Sequence, residues 1–229
     1  LTMHYSFEAE RDVRKAYKSM KMLYDELPSP ENKEKLQYLQ DLKDLDEASE
    51  AAHKLTLFYE GQENSQGIVN VVESMPDAMR NLPFAWYMYN KHKEPKVWGE
   101  KEICYYATFG KPHLEHWDGN SLVKGLGGSE TAVIRLSEEW TKKGYKVTVY
   151  GDPLQKTEIN GVTYLPYFEF NHRDSFNIFI NWRSNHLSGK IKAKKFLVDL
   201  HDLCAVTQFK DRERCVDKFM VKTNFHASL

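Results

Sequence analysis

The sequence predicts an α/β protein with a Rossmann-like parallel sheet lobe over residues 95–229, preceded by an α-helical segment over residues 1–94. Two observations support this fold class. In the first segment, apolar residues recur at intervals of three and four, which is the period of one face of a helix. After Pro95, short runs of β-branched and aromatic residues alternate with glycine-containing loops, which is typical of strands that build a parallel sheet.

Three helices are predicted in the first segment. The apolar face of the first helix, residues 8–27, consists of Val13, Ala16, Tyr17, Met20, Leu23, Tyr24 and Leu27. A Pro-Ser-Pro sequence ends this helix, and Ser29 or Asn32 then caps a second helix with its own apolar stripe. Residues 61–67 are predicted to form a polar loop, and a third helix covers residues 76–91 with proline in its first turn. A helical hairpin is favoured over a helical-repeat array, because no motif has a second copy.

The second segment begins with a predicted strand, residues 102–107, and a long loop that ends in the glycine-rich run GLGGSE. A helix over residues 131–143 follows, and Gly144 ends it as a left-handed cap. The next strand, residues 146–150, is rich in β-branched residues and completes a β-loop-α-β unit. Further strands are predicted at residues 162–165, 177–181, 196–200 and 218–222. The lysine-rich residues 190–195 are interpreted as the solvated face of a short helix.

The composition is that of an ordinary globular protein, with 41% hydrophobic and 28% charged residues among 229. The net charge of -1 argues against a nucleic-acid-binding surface. Three cysteines without a Cys-x-x-Cys pair predict neither a disulfide framework nor a zinc site. No apolar run reaches the roughly 18–20 residues of a membrane span and no signal peptide is recognised, so a cytoplasmic location is expected. The chain starts at Leu1 rather than Met, and both ends are expected to be cuts in a longer polypeptide.

The sharpest functional feature is the glycine-rich loop that leads into the predicted helix. Glycine lets backbone N–H groups approach a ligand closely, and the helix that follows presents unpaired N–H groups and a positive dipole end. Gly127, Gly128, Ser129 and Glu130 are therefore candidates for binding a phosphate or an acceptor, with Ser129 capping the helix. The loop lacks the G-x-G-x-x-G order of dinucleotide sites and the Gly-Lys-Ser/Thr of a P-loop. A tight turn that only packs the helix on the sheet is the alternative interpretation.

The second segment also carries a series of motifs: KGLGGSETAV at residues 124–133, GYKVTVY at 144–150, NWR at 181–183, DLHD at 199–202 and VKTNFH at 221–226. Their order and spacing resemble the amino-terminal lobe of family 4 retaining glycosyltransferases. Many members of that family have Trp-Leu-His-Asp where this chain has Asp-Leu-His-Asp. The resemblance covers residues 103–229 and does not cover residues 1–90. It implies the N-terminal half of a GT-B fold, in which two Rossmann-like lobes flank a cleft.

The resemblance implies roles for several positions. Gly127 and Gly128 would lie at the floor of the cleft, near the donor phosphates or the acceptor. His201 and Asp202 would be catalytic residues on the cleft wall, where the sugar is transferred. Arg183 follows an apolar strand, and its fixed charge suits a phosphate or a carboxylate. The substrates would be a nucleotide sugar and a glycan, lipid or protein acceptor, with no cofactor and no metal ion.

The donor-binding lobe of the family would follow Leu229. Because that lobe holds most contacts to the nucleotide and the sugar, this chain alone is expected to lack efficient transferase activity. Residues 1–94 receive no role from the resemblance, and a protein partner for this segment is one interpretation.

Other interpretations remain open. The pair of His201 and Asp202 also suits a helix cap, and Arg183 also suits a surface ion pair. His113 and His116 lie three apart, but no carboxylate or cysteine stands nearby at ligand spacing, which disfavours a metal site. For the whole chain, the main alternative is a non-catalytic interaction module with a helical partner-binding front and a degenerate α/β lobe. Another is a different phosphate-ligand enzyme, such as an epimerase on a similar two-lobed scaffold.

Overall fold

The structure of the protein is a computed structural model. It describes residues 2–108, 116–184, 186–201 and 215–222, with the backbone alone for residues 2–12. The chain divides into two compact units, Leu1–His92 and Lys93–Leu229.

The first unit is helical. Its helices are α1 (Thr2–Glu26), α2 (Pro30–Gly61), α3 (Ser65–Ser74), α4 (Asp77–Arg80) and α5 (Pro83–His92). The second helix begins where the sequence predicts, because the Ser29 hydroxyl accepts a hydrogen bond from the Asn32 amide at 3.1 Å and Pro30 occupies the first turn. Among the helices that the structure describes, none combines the length and the apolar character that crossing a membrane requires.

Two predictions for this unit are wrong. The predicted polar loop ends early, because the Asn64 side chain accepts a hydrogen bond from the Gly67 amide at 2.8 Å and starts α3. The predicted single helix over residues 76–91 is split, since Pro83 has no N–H to continue an α-helix and instead begins α5. The buried core of the unit draws mainly on α3 and α5 and consists of Ile68, Val69, Val72, Met75, Met79, Ala85, Met88 and Tyr89.

The second unit is a mostly parallel sheet, which confirms the predicted α/β class. Its described strands are β1 (Glu102–Tyr106), β2 (Lys146–Gly151), β3 (Thr157–Ile159), β4 (Val162–Pro166), β5 (Ser175–Trp182), β6 (Lys192–Asp199) and β7 (Lys218–Met220). The spatial order is β3-β4-β2-β1-β5-β6-β7, and only β3 is antiparallel to its neighbour. Numbered along the chain without β3, the parallel strands therefore run 3-2-1-4-5-6, which is the Rossmann order. The direction of winding reverses between β1 and β5.

Strand β6 corrects another prediction. Residues 190–195 were expected to form the solvated face of a short helix, but Lys192 begins β6 and pairs with Ser175 at the start of β5. The exposed lysines precede the buried Phe196 and Val198, so the strand enters the sheet from a solvated end. Pairing with β5 satisfies the backbone there, and a lysine-rich composition alone does not distinguish a strand end from a helix face.

Helix α6 (Gly128–Lys142) follows β1 and covers one face of the sheet. It ends at Lys142, and Gly144 adopts a φ of +84° in the predicted left-handed cap. Successive strand residues point to opposite faces. Tyr105 and Trp182 therefore belong to the core beneath α6, which we call the α6 face, whereas Tyr106 belongs to the core on the opposite face.

Candidate functional site

The candidate site lies where the parallel strands end. Ligands of open α/β sheets bind beyond the carboxyl ends of the strands, at the point where the strand order reverses. In this chain that edge carries the ends of β1, β5, β6 and β7. The helix between two parallel neighbours runs back along the sheet, so the start of α6 also lies at this edge.

A buried carboxylate stands at the centre of this edge. Asp199 is the last residue of β6 and is fully buried. Its Oδ1 accepts a hydrogen bond from Lys222 Nζ at 2.5 Å, and its Oδ2 lies 2.9 Å from His201 Nε2. The Tyr105 hydroxyl, from β1, also donates to Oδ2. We call these four residues the Asp199 cluster.

The charges of the cluster are balanced. Burial acts to raise the pKa of Asp199, but the hydrogen bonds from His201, Lys222 and Tyr105 outweigh it and hold that pKa below its ordinary value. Burial, together with the negative charge of Asp199, raises the pKa of Tyr105. The phenol therefore stays protonated and donates a hydrogen bond to the carboxylate. The carboxylate is therefore ionised near neutral pH and is paired with the ammonium group of Lys222.

Of the predicted site residues, His201 belongs to this cluster and Arg183 contacts it. The His201 side chain is almost buried, with its ring edge-on to that of Trp182 at a centroid distance of 6.3 Å. Arg183 donates its backbone N–H to the carbonyl of Asp199 at 2.7 Å. Asp202 lies outside the described residues. Asp199 itself was not among the predicted site residues, although a carboxylate at the end of an apolar strand is a signal for one.

Arg183 has an unusual backbone conformation. Its φ is +58°, which is rare for a residue other than glycine and is concentrated at functional sites. Its guanidinium carbon lies 4.9 Å from the centre of the Trp182 ring. Stacking on an indole holds the cation at the end of β5, beside the point where the strand order reverses.

The glycine-rich loop forms the start of α6. Gly127 is the N-cap and no side chain caps the helix, so the prediction that Ser129 is the cap is wrong. Ser129 lies in the first turn and donates to Glu130 Oε2 at 2.8 Å. That carboxylate lies beside Gly127, where a Cβ would collide with it. Among the described residues, the side chains of Ser129 and Glu130 hydrogen-bond to each other within the first turn of α6.

Gly128 differs from Gly127 in its surroundings. Among the described residues, no atom lies within 4 Å of the place where a Cβ at Gly128 would stand, and the φ of Gly128 is not in the left-handed region. The space in front of the first helical turn is therefore open. The backbone N–H groups of this first turn are the ones that favour an anion.

A second polar group lies at the end of β5, on the opposite face. Asn181 is fully buried and donates to the Ser184 carbonyl at 2.5 Å, which fixes the orientation of its amide. Its Oδ1 has no hydrogen-bond partner among the described residues. The Ser184 hydroxyl lies 2.5 Å from His186 Nδ1. Burial, together with the nearby His186, lowers the pKa of His172 to about 4.

Within the described residues, no group of three or more His, Cys, Asp or Glu side chains is arranged to hold a metal ion. His113 lies outside those residues. His116 Nδ1 lies 3.2 Å from the carbonyl of Asp152 and 3.5 Å from its carboxylate.

Comparisons with protein-family models, with curated proteins and with solved structures return no match for this chain.

Proposed function

We propose that this chain is the acceptor-side, N-terminal lobe of a GT-B glycosyltransferase. The whole enzyme moves a sugar from a nucleotide-sugar donor to a hydroxyl of a glycan, lipid or protein acceptor. One observation carries the proposal: at the carboxyl edge of a 3-2-1-4-5-6 sheet, His201 is held by a buried carboxylate and Arg183 is stacked on Trp182. A fold alone does not assign a function. The motifs that resemble family 4 enzymes supply the reaction class.

In the proposed reaction, the bond between the sugar carbon and the diphosphate oxygen breaks while the acceptor oxygen bonds to that carbon, and the proton of the acceptor hydroxyl passes to the departing diphosphate. Negative charge develops on the departing diphosphate. Arg183 and the N–H groups of Gly128 and Ser129 at the start of α6 are fixed positive groups that stabilise this charge without moving. His201 contacts a hydroxyl group of the sugar and orients it.

Glu130 sets a condition on this arrangement. Its carboxylate lies beside Gly127 at the start of α6, where its negative charge partly neutralises the positive end of the helix dipole. A phosphate that binds there meets this negative charge. The proposal therefore requires Glu130 to rotate away or to accept a hydrogen bond from a donor hydroxyl.

The experiment that tests the proposal is a calorimetric and thermal-shift titration with nucleoside diphosphates and nucleotide sugars. The full-length protein is compared with the 229-residue chain. Binding by the full-length protein, with weak or no binding by the chain alone, supports the proposal, because most donor contacts belong to the second lobe. If no member of the panel binds either protein, the proposal fails and the interaction module becomes the better interpretation.

Gly128→Leu provides a matched test of the loop. A leucine fits the fold there but fills the open space in front of α6, so we expect donor affinity and transfer to fall at least about tenfold. The control is Gly61→Leu at the end of α2, where a Cβ also meets no atom within 4 Å and φ is also outside the left-handed region. Unchanged transfer in the Gly128 variant would remove the loop from the site.

A further inference from the structure

We propose that Asp199 is a positioning residue that holds His201 as the neutral Nε2–H tautomer, with Nδ1 left as the ring nitrogen that accepts a hydrogen bond from a bound hydroxyl. The identity of that hydroxyl as part of a sugar rests on the proposed function. The tautomer is a property of this chain and is argued from its own contacts.

The first step is the direction of the hydrogen bond. An ionised carboxylate only accepts, so the Nε2 atom 2.9 Å from Asp199 Oδ2 carries the proton. The Tyr105 hydroxyl donates a hydrogen bond to the same oxygen, and Lys222 donates to the other one. All the partners of the carboxylate are therefore donors, and none of them provides an acceptor for His201.

The second step is charge. The charges of Asp199 and Lys222 cancel, so a second proton on His201 would leave a net positive charge on a side chain that is only 7% exposed. This cost favours the neutral ring, in which Nε2 holds the proton and Nδ1 holds the lone pair.

The third step is orientation. Backbone hydrogen bonds on both sides fix the end of β6. The Arg183 N–H donates to the backbone carbonyl of Asp199, and the Leu200 N–H donates to the backbone carbonyl of Met220 at 2.9 Å. The indole of Trp182 packs edge-on against the imidazole. Within the described part of the chain, no hydrogen bond engages Nδ1 of His201.

This arrangement selects the chemistry of the ligand group. A nitrogen lone pair attracts a hydroxyl donor and repels a phosphate oxygen. His201 therefore recognises a hydroxyl, and the phosphates are left to Arg183 and to the start of α6. Asp199 gives this discrimination without touching the ligand, because it acts only through the ring of His201.

The first measurement is ring ¹⁵N NMR of the chain labelled at histidine, since long-range ¹H–¹⁵N correlations distinguish the two neutral tautomers. The His201 signals are assigned by their loss in His201→Gln. We expect a single Nε2–H tautomer at neutral pH. An Nδ1–H form, or fast exchange between the forms, overturns the proposal, and this measurement needs no variant of Asp199 to fold.

The second measurement uses Asp199→Asn, which keeps the size of the side chain and removes the ionised acceptor. We expect the tautomer preference to be lost, whereas Asp217→Asn, at the edge of β7, leaves it unchanged. In the full-length enzyme, kcat falls about 10–100-fold with KM for the donor almost unchanged, as is typical when the partner that orients a histidine is removed. An unchanged kcat despite a lost tautomer preference overturns the positioning role. A fixed tautomer in a protein that binds no nucleotide sugar supports the role of Asp199 and rejects the glycosyltransferase.

Discussion

At the scale of single residues, two buried carboxylates serve different ends of the sheet. Asp174 precedes β5, and its two oxygens accept from the Lys96 amide at 2.8 Å and from the Trp98 indole at 2.9 Å. Asp199 ends β6, and among the described residues its carboxylate has side-chain partners alone, namely Tyr105, His201 and Lys222. The first carboxylate ties a chain segment to the sheet. The second one holds the imidazole of His201 at the carboxyl edge of the sheet.

The different partners predict opposite titrations. Burial dominates at Asp174 and raises its pKa, even though two N–H groups and nearby cations act against it. At Asp199 the three donors prevail over burial, and the pKa is lowered. We expect carboxyl ¹³C NMR to show Asp174 titrating above, and Asp199 below, the ordinary aspartate value of about 3.9. Two coincident titrations near that value would contradict this account of the electrostatics.

The sign of the linkage differs as well. For Asp199, whose pKa falls on folding, the contribution to stability is present above the unfolded pKa and is lost as pH falls through the folded pKa. For Asp174, whose pKa rises, the contribution is present below the unfolded pKa and is lost as pH rises through the folded pKa. The change from Asp199 therefore falls below the unfolded pKa of about 3.9, and the change from Asp174 falls above it with the opposite sign. A pH profile of the whole protein also contains the other carboxylates, so it does not by itself assign either change to its residue.

A substitution of Lys222 separates them. Lys222→Met removes the cation that pairs with buried Asp199, and we expect the free energy of unfolding at about pH 7 to fall by about 1–3 kcal/mol. The difference from the unsubstituted protein should shrink as pH falls, because protonated Asp199 forms no ion pair. Urea unfolding over a range of pH measures this. Lys195→Met is the control, since its pair with the exposed Asp217 is a surface contact worth less than about 1 kcal/mol.

At the scale of elements, the β3–β4 hairpin depends on its two-residue turn. Asn160 and Gly161 have φ values of +52° and +77°, the left-handed pair that a type I′ turn requires. A Cβ on Gly161 would also lie 2.7 Å from the methyl carbon of Thr141 in α6. The turn therefore brings the hairpin close to the helix, and both the backbone and the contact require glycine.

Two alanine substitutions separate these causes. Gly144→Ala places a side chain at a φ of +84° with no atom within 4 Å, so it should cost about 1–2 kcal/mol of unfolding free energy from the backbone alone. Gly161→Ala should cost more, because it adds the contact with Thr141. Thr141→Ser keeps the hydrogen bond to the Ser137 carbonyl and removes the methyl group. Adding Thr141→Ser to Gly161→Ala should remove the extra cost. Equal costs for Gly144→Ala and Gly161→Ala would show that the contact with Thr141 is irrelevant.

The same elements show how far the sequence predicts the fold. Apolar periodicity identified α1, α2 and α6, and short apolar runs identified the strands of the parallel sheet. The strand β3 was not predicted, although the Asn-Gly turn after it is a strong hairpin signal. The helix α3 was not predicted because its first turn, Ser-Gln-Gly, is polar and resembles a loop. Its start depends on the Asn64 cap, whose geometry only the folded chain provides.

At the scale of the whole molecule, the site was only partly predictable for a physical reason. His201 and Arg183 follow strands, and the resemblance to glycosyltransferases points to both of them. The strand order is set by pairing between distant segments, and so is the Asp199 cluster. Tyr105 and Asp199 are 94 positions apart, and Lys222 follows Asp199 by 23. Local patterns carry no information about which distant side chains meet a carboxylate, so its three donors appeared only in the structure.

The two compact units have separate cores, and this gives the last prediction. Ile68 is fully buried in the helical core of Leu1–His92, and Ile180 is fully buried on the α6 face of Lys93–Leu229. Each Ile→Ala change should lower the stability of its own unit by about 2–5 kcal/mol, through lost burial and the cavity that remains.

Hydrogen exchange resolved by residue measures the two effects in one experiment. Ile68→Ala should speed exchange of the amides of α3 and α5 and leave those of β1 and β5 protected, and Ile180→Ala should do the reverse. Because both substitutions remove the same atoms from fully buried positions, each one is the control for the other. If either variant weakened protection equally across both units, the chain would unfold as one cooperative body, and the helical unit would have to be included in any account of the stability of the site.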